Sequence, residues 1–198
     1  MIKPEEYFND KHIKEMMVKW GEPVHQHIKL LVDQYFWLSW GGKWQIQLGE
    51  VMFLLPRPGG LLLHRKSLYP PNCWRLLTGR IKPAEKLTDT LNREIMEEVG
   101  LSLPIKRYVG IVTYEISHNR LTLPWVTHIF LMGYSDAPLQ PSFDDEIEET
   151  KVCSLQQLDQ VANDLERLPK TWHDWGRYRA ITHRLVRQHV KAEELEAP

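Results

Sequence analysis

A chain of 198 residues and 23.4 kDa is long enough for one domain with a sizeable core plus an appendage. Its 25 basic and 26 acidic residues leave a formal net charge of -1, which excludes a global field for nucleic acid or an anionic membrane; an anionic ligand has to be met locally. The only cysteines, Cys73 and Cys153, are too few and too far apart for a zinc ribbon or a disulfide framework and read as buried small hydrophobes.

No charged-then-apolar leader opens the chain, and its most apolar stretch, near residues 30–40, is interrupted by Asp33 and Gln34. The expectation is a cytoplasmic protein without a membrane span. His25 and His27, the closest histidine pair, lack the carboxylate or cysteine company of a metal site and read as surface or packing residues.

Residues 1–44 read as an N-terminal, mainly helical, aromatic extension and residues 45–198 as the main domain. The extension carries Trp20, Trp37, Trp40 and Trp44. Residues 5–20 fit a helix with Tyr7, Phe8, Ile13, Met16 and Met17 near one side, while residues 28–38 fit either a second helix or a buried strand. A cap packed on the core is the expected role, with a dimer arm or a wall of the substrate pocket as alternatives.

Short apolar runs begin at Trp44. Residues 44–48 alternate, and residues 51–55 and 61–64 flank a Pro-Arg-Pro-Gly-Gly turn at 56–60, which predicts a hairpin. Arg65 and Lys66 follow the second run, placed for a phosphate if the strand points at a site and otherwise a solvated strand end. Residues 74–77 make a further short strand leading into Gly79.

Residues 79–101 form the most informative segment. At about 100° per residue Leu87, Leu91, Ile95 and Val99 make an apolar stripe, and Glu94, Glu97 and Glu98 make a second about a quarter turn away. Pro83 suits a first helical turn and Gly100 a left-handed closing residue. Glu85 can favour the helix dipole or meet Arg93 in bidentate geometry. Three stacked carboxylates repel one another, so a cation belongs there. Because only carboxylate oxygen is offered, the expected ion is hard, Mg²⁺ or Mn²⁺ in its place. A solvated glutamate-rich surface is the plain alternative.

Two strand-like runs at 107–116 and 121–134, joined by polar residues 117–120, predict a long hairpin. An acidic run at 144–149 precedes a helix at 155–168, and residues 171–194 read as a basic, aromatic closing helix with Trp172, Trp175, Tyr178, Ile181, Leu185 and Val186. Trp74, Tyr114 and Trp125 are candidates to stack on a base, with core packing as the alternative.

Residues 79–101 also resemble the Nudix hydrolases, whose signature is G-x5-E-x7-R-E-U-x-E-E-x-G-U with U aliphatic. Gly79, Glu85, Arg93, Glu94, Ile95, Glu97, Glu98, Gly100 and Leu101 fill it in order. The resemblance implies an α/β/α sandwich of α+β type with a mixed sheet. It also implies Mg²⁺-dependent hydrolysis of a pyrophosphate bond in a nucleoside diphosphate linked to another group. Glu94, Glu97, Glu98 and the Gly79 carbonyl would hold the metal, and Glu85, Arg93 and Gly100 would be structural. Glu97 and Glu98 carry the chemistry, the general base being Glu98 or a downstream glutamate, Glu149 or Glu146. Arg65, Lys66 and Trp74 are the expected substrate contacts.

The box departs from the family pattern in two places. Leu77-Thr78-Gly79 stands where proline-glycine-glycine is common, and Ala84 stands where glycine usually precedes the first glutamate. The zinc ribbon and downstream motif of the NADH pyrophosphatase branch are missing, as is the upstream motif of the coenzyme A branch, so a nucleoside triphosphate or an ADP-ribose-like compound is the default substrate. A homodimer is a family-level expectation. The alternative function is a nucleotide-sensing or scaffold module without turnover.

Overall fold

The computed structural model describes residues 11–40, 49–141 and 147–197. Tyr7, Phe8, Trp44, the alternating run at 44–48 and Glu146 lie outside the described residues.

Two long strands rich in β-branched and aromatic residues, β6 (Ile105–His118) and β7 (Leu121–Met132), pair antiparallel as expected, and the hairpin turns at Asn119 with φ 54°. Asparagine tolerates that left-handed backbone better than most residues do. Beside β7 lies β2 (Gly49–Leu54), parallel to it and buried at every position, the pattern of a strand covered on both faces. β5 (Arg75–Arg80) pairs antiparallel with β2 and β4 (Gly60–Lys66) with β5. β3 (Pro56–Arg57) and β8 (Ile147–Cys153) both flank β4. The sheet is therefore mixed.

The turn at residues 56–60 forms, but its partners differ from the simple hairpin that the sequence predicts. Of the run before the turn only Pro56 and Arg57, as β3, pair with β4, while β2 is claimed by β5 and β7. A six-residue strand that is apolar on both faces gains more from the middle of a sheet than from a two-stranded ribbon.

The N-terminal segment is less helical than its pattern suggests. After α1 (Lys11–Trp20) comes a strand, β1 (Val24–Leu31), which pairs parallel with β6 at the edge of the sheet. Its exposed, polar sequence hides the strand from any search for apolar alternation. Residues 28–38 thus divide, because Asp33 starts a new helix, α2 (Gln34–Trp40), by accepting the Phe36 N–H at 2.9 Å. The Asp33 N–H in turn donates to Asp174 at 2.6 Å, tying the segment to the C-terminal helix.

α3 (Leu87–Val99) buries its predicted stripe of Leu87, Leu91, Ile95 and Val99 against Val51, Phe53, Leu77 and Phe130 on one face of the sheet, joined by Ile13 and Met16 of α1. On the other face α4 (Gln157–Glu166) and α5 (His173–His189) pack Leu158, Tyr178 and Val186 over Leu54, Leu76 and Val112, with Phe36 of α2. The result is an α/β/α sandwich. Tyr114, Trp125, Cys73 and Cys153 are all buried in this second core, and burial raises both thiols to about 11. Among the described residues no helix is long and apolar enough to cross a membrane.

Both ends of α3 can be compared with the sequence. Pro83 lies in a turn ahead of the helix, which begins only at Leu87. Gly100 closes it with φ 68°, its N–H donating to the Met96 carbonyl at 3.0 Å. A methyl group at Gly100 would also overlap the Gln140 backbone. Gly100→Ala is expected to cost at least about 1 kcal/mol, measured by urea denaturation, since left-handed strain adds to that overlap.

Candidate active site

The glutamate face of α3 meets the end of β5. Gly79 has no side chain there, and a methyl group would coincide with Cγ and Cδ of Glu94, so glycine is what lets that carboxylate lie against the strand backbone. Burial raises the Glu94 carboxyl above its usual value, and hydrogen bonding to Arg93 opposes that rise.

Arg93 organises the segment. Its Nε and Nη2 donate to the two oxygens of Glu85 at 2.8 and 2.9 Å, and Nη2 also donates to the Arg80 carbonyl at 2.9 Å. Nη1 donates to Glu94 at 2.6 Å and to Glu97 at 3.1 Å. One guanidinium therefore fastens the strand end, the connecting turn and the helix together. Glu85 is held further by the Lys82 N–H and the Thr90 hydroxyl. Hydrogen bonding to Arg93 is the main cause that lowers the Glu85 carboxyl from 4.5 to about 2.

Glu98 is 4% exposed, with Oε1 3.8 Å from Lys66 Nζ, whereas the Glu97 side chain remains half exposed beside Arg93. Gly79, Glu94 and Glu98 share one cavity of about 550 Å³ with Lys66. Its volume falls in the range that takes small ligands. The same cavity is lined by Arg75, Arg80, Lys82, Tyr69, Trp172 and Trp175, and by Glu50 and Arg179. Among the described residues five cations face three carboxylates on this wall, an excess that favours an anionic ligand.

Arg65, Trp74 and Glu149 are placed elsewhere. Arg65 pairs with Glu148 and Glu149 across the β4–β8 edge at 3.2 and 3.0 Å, and Trp74 lies under the Lys151 ammonium at 4.3 Å. None of the three lines the cavity.

The cavity also holds residues the motif does not specify. Glu50, 2% exposed at the start of β2, accepts from Tyr178 at 2.6 Å, from Arg179 Nη1 at 2.7 Å and from Thr127 at 3.0 Å. Arg75 donates to Tyr69, to the Leu76 carbonyl and to Thr78 Oγ1, so the threonine that replaces a glycine in the box entry serves as its acceptor. His183 is buried and neutral. It accepts the Leu76 N–H at 3.0 Å on Nε2 and donates from Nδ1 to the Arg179 carbonyl at 2.8 Å, and burial is the first cause that lowers it to about 3. It thereby locks α5 to β5. Two signals for this network were present in the sequence: a lone glutamate in the apolar run Glu50–Leu55, and Arg179 four residues after Trp175 on the buried side of the last helix.

Carboxylate-rich helix, strand-end glycine and cationic cavity together suit a phosphorylated ligand and a hard cation. Among the described residues no three His, Cys, Asp or Glu side chains form a closed metal cage. The all-oxygen donor set still fits Mg²⁺, which keeps several waters and asks for only one or two carboxylates.

Comparison with known proteins agrees with this class. The family model for the NUDIX domain matches residues 47–175, and the chain belongs to that family, whose members generally use divalent metal ions. It is 28% identical over 112 residues to the NAD-capped RNA hydrolase NudC of Chromobacterium violaceum, a match covering 56% of this chain and 40% of that protein. It is 33% identical over 82 residues to the RNA pyrophosphohydrolase of Coxiella burnetii, covering 41% of this chain and 31% of that one. The chain thus matches less than half the length of either relative. A NUDIX hydrolase from Nitrosomonas europaea superposes with a TM-score of 0.49 at 15% identity, covering 77% of this chain and 97% of that chain.

The box geometry leads to two expected outcomes. Ala84 sits in the left-handed region at φ 62°. Ala84→Gly is expected to raise stability by roughly 0.5–1 kcal/mol in chemical denaturation, the relieved strain being partly offset by glycine's chain entropy. Because the Glu85 carboxyl is depressed in the fold, its contribution is present above 4.5 and is lost as pH falls toward about 2. Melting temperature should decline across that window, and Glu85→Gln should both lower the neutral-pH value and flatten the decline.

Proposed function

We propose that this chain is a Mg²⁺-dependent pyrophosphohydrolase acting on a nucleoside diphosphate joined to another group. The observation that carries this reading is the single cavity in which Glu94, Glu98 and Gly79 stand beside an excess of basic side chains and partly exposed aromatic rings. A pyrophosphate needs its charge neutralised, a water held in line and its leaving group stabilised. When bound, the metal would supply Lewis acidity and lower the pKa of a water. Glu94, Glu97, Glu98 and the Gly79 carbonyl are the residues that would hold it. Lys66, Arg75, Arg80 and Lys82 orient the phosphate oxygens.

We assign the general base to Glu98, since it is buried in the cavity wall, whereas Glu149 is engaged by Arg65 on the β4–β8 edge. Arg93 has a positioning role: its Nη1 holds Glu94 and Glu97 on the helix face that would meet the ion. Nucleoside triphosphates and ADP-ribose-like compounds are the substrates to try first. The two relatives, an NAD-capped RNA hydrolase and an RNA pyrophosphohydrolase, add NAD-capped RNA and RNA with a pyrophosphate linkage to the panel.

The test is product analysis by chromatography on this panel with Mg²⁺. Wild type is expected to cleave at least one member, and Glu98→Gln and Glu97→Gln are each expected to lower kcat by about two orders of magnitude or more with melting temperature retained. Full activity in both variants would defeat the proposal. Tight binding without product at any metal concentration would favour a nucleotide-sensing module instead.

A further inference from the structure

Among the described residues Arg179 is held through one nitrogen only. It is 6% exposed, its guanidinium lies over the rings of Trp175 and Tyr178 at 5.6 and 5.0 Å, and Nη1 alone donates to the two Glu50 oxygens at 2.7 and 2.9 Å. The opposite edge of the fork carries Nε and Nη2, two parallel donors. Nε is buried and has no hydrogen-bond partner among the described residues, and Arg179 forms part of the cavity wall. A buried donor left unmatched is costly, so its persistence at a cavity marks a place for an acceptor pair supplied by a ligand.

Charge decides which acceptor pair. Glu50 already neutralises Arg179, so a phosphate brought to the far edge would meet a guanidinium whose field is largely cancelled, and would be repelled by the carboxylate behind it. Lys66, Arg80 and Lys82 supply positive charge elsewhere on the wall. Two adjacent neutral acceptors on a flat ring suit the Arg179 edge better. The rings of Tyr69 and Trp172, part-exposed on the same wall and in edge contact at 5.8 Å, offer such a ring a stacking surface.

Arginine pairs in this bidentate way with O6 and N7 of guanine, whereas adenine sets an amino donor beside N7 and so turns a donor toward a donor. We infer that Arg179 reads the base of the substrate, taking O6 and N7 of a 6-oxopurine while Trp172 stacks on it, so that the site selects guanine-type over adenine nucleotides. This rests on the nucleotide reading of the cavity but not on turnover.

The experiment is titration calorimetry of GDP, IDP, ADP, CDP and 7-deaza-GDP against the full chain carrying Glu98→Gln, in Mg²⁺, alongside wild-type kcat/KM for the corresponding triphosphates. GDP and IDP are expected to bind about tenfold or more tightly than ADP and CDP, and replacing N7 in 7-deaza-GDP should remove most of that advantage. Arg179→Lys, added to the same background and checked by thermal melting, should collapse the GDP to ADP ratio to about one.

Should Arg179→Lys fail to fold, 7-deaza-GDP decides the matter without it, and Trp172→Ala is expected to weaken every base alike. Equal affinities for GDP and ADP would overturn the inference, as would preference for CDP or undiminished binding of 7-deaza-GDP. An equal loss for all bases in Arg179→Lys would make the residue a phosphate contact and also overturn it. Base preference without cleavage of any member of the substrate panel would leave it standing and remove the hydrolase proposal, whereas cleavage without base preference would do the reverse. Absence of all nucleotide binding would overturn both.

Discussion

The guanidinium of Arg93 is the junction on which the site depends. Through its three nitrogens it reaches Glu85 in the turn, the Arg80 carbonyl on the strand, and Glu94 and Glu97 on the helix. Without a cation at their centre these carboxylates would repel one another and spread the helix away from β5. Arginine suits the position because its planar, permanently charged fork offers five donors in fixed directions, which a lysine ammonium does not. Gly79 completes the junction by letting Glu94 lie against the strand.

A second cation, this one buried, performs the matching task on the other wall of the cavity. Arg179, Tyr178 and Thr127 converge on Glu50, so α5, β7 and β2 are joined at the site by a buried ion pair whose carboxylate is fully engaged. Breaking such a pair would leave an uncompensated buried charge, so its two members stay together. His183 extends the same connection to β5. The site is thus clamped from both faces of the sheet, and residues near the C-terminal end of the chain help to form it.

The glutamate face of α3 was legible in the sequence because its information is local. Helical periodicity alone puts Glu94, Glu97 and Glu98 on one side and Leu87, Leu91, Ile95 and Val99 on another, and Gly100 signals its own left-handed backbone. The long β6–β7 hairpin followed from a pattern of the same kind, and the sandwich from the resemblance that residues 79–101 carry. The edge strand β1 was less legible, because an exposed strand carries little apolar alternation and owes its conformation to hydrogen bonds with β6.

The sequence by itself determined the helix, its carboxylates and the class of ion they suit, since residues three and four apart on a helix meet whatever the rest of the chain does. Only the tertiary structure decided which distant residues face that helix. Arg65 and Lys66 are neighbours in sequence, yet strand alternation sends one to the β8 edge and the other into the cavity. Glu50 and Arg179 are 129 positions apart and meet because β2 takes a central place in the sheet beneath α5. Such long-range pairing is set by packing of whole elements, to which local periodicity carries no pointer.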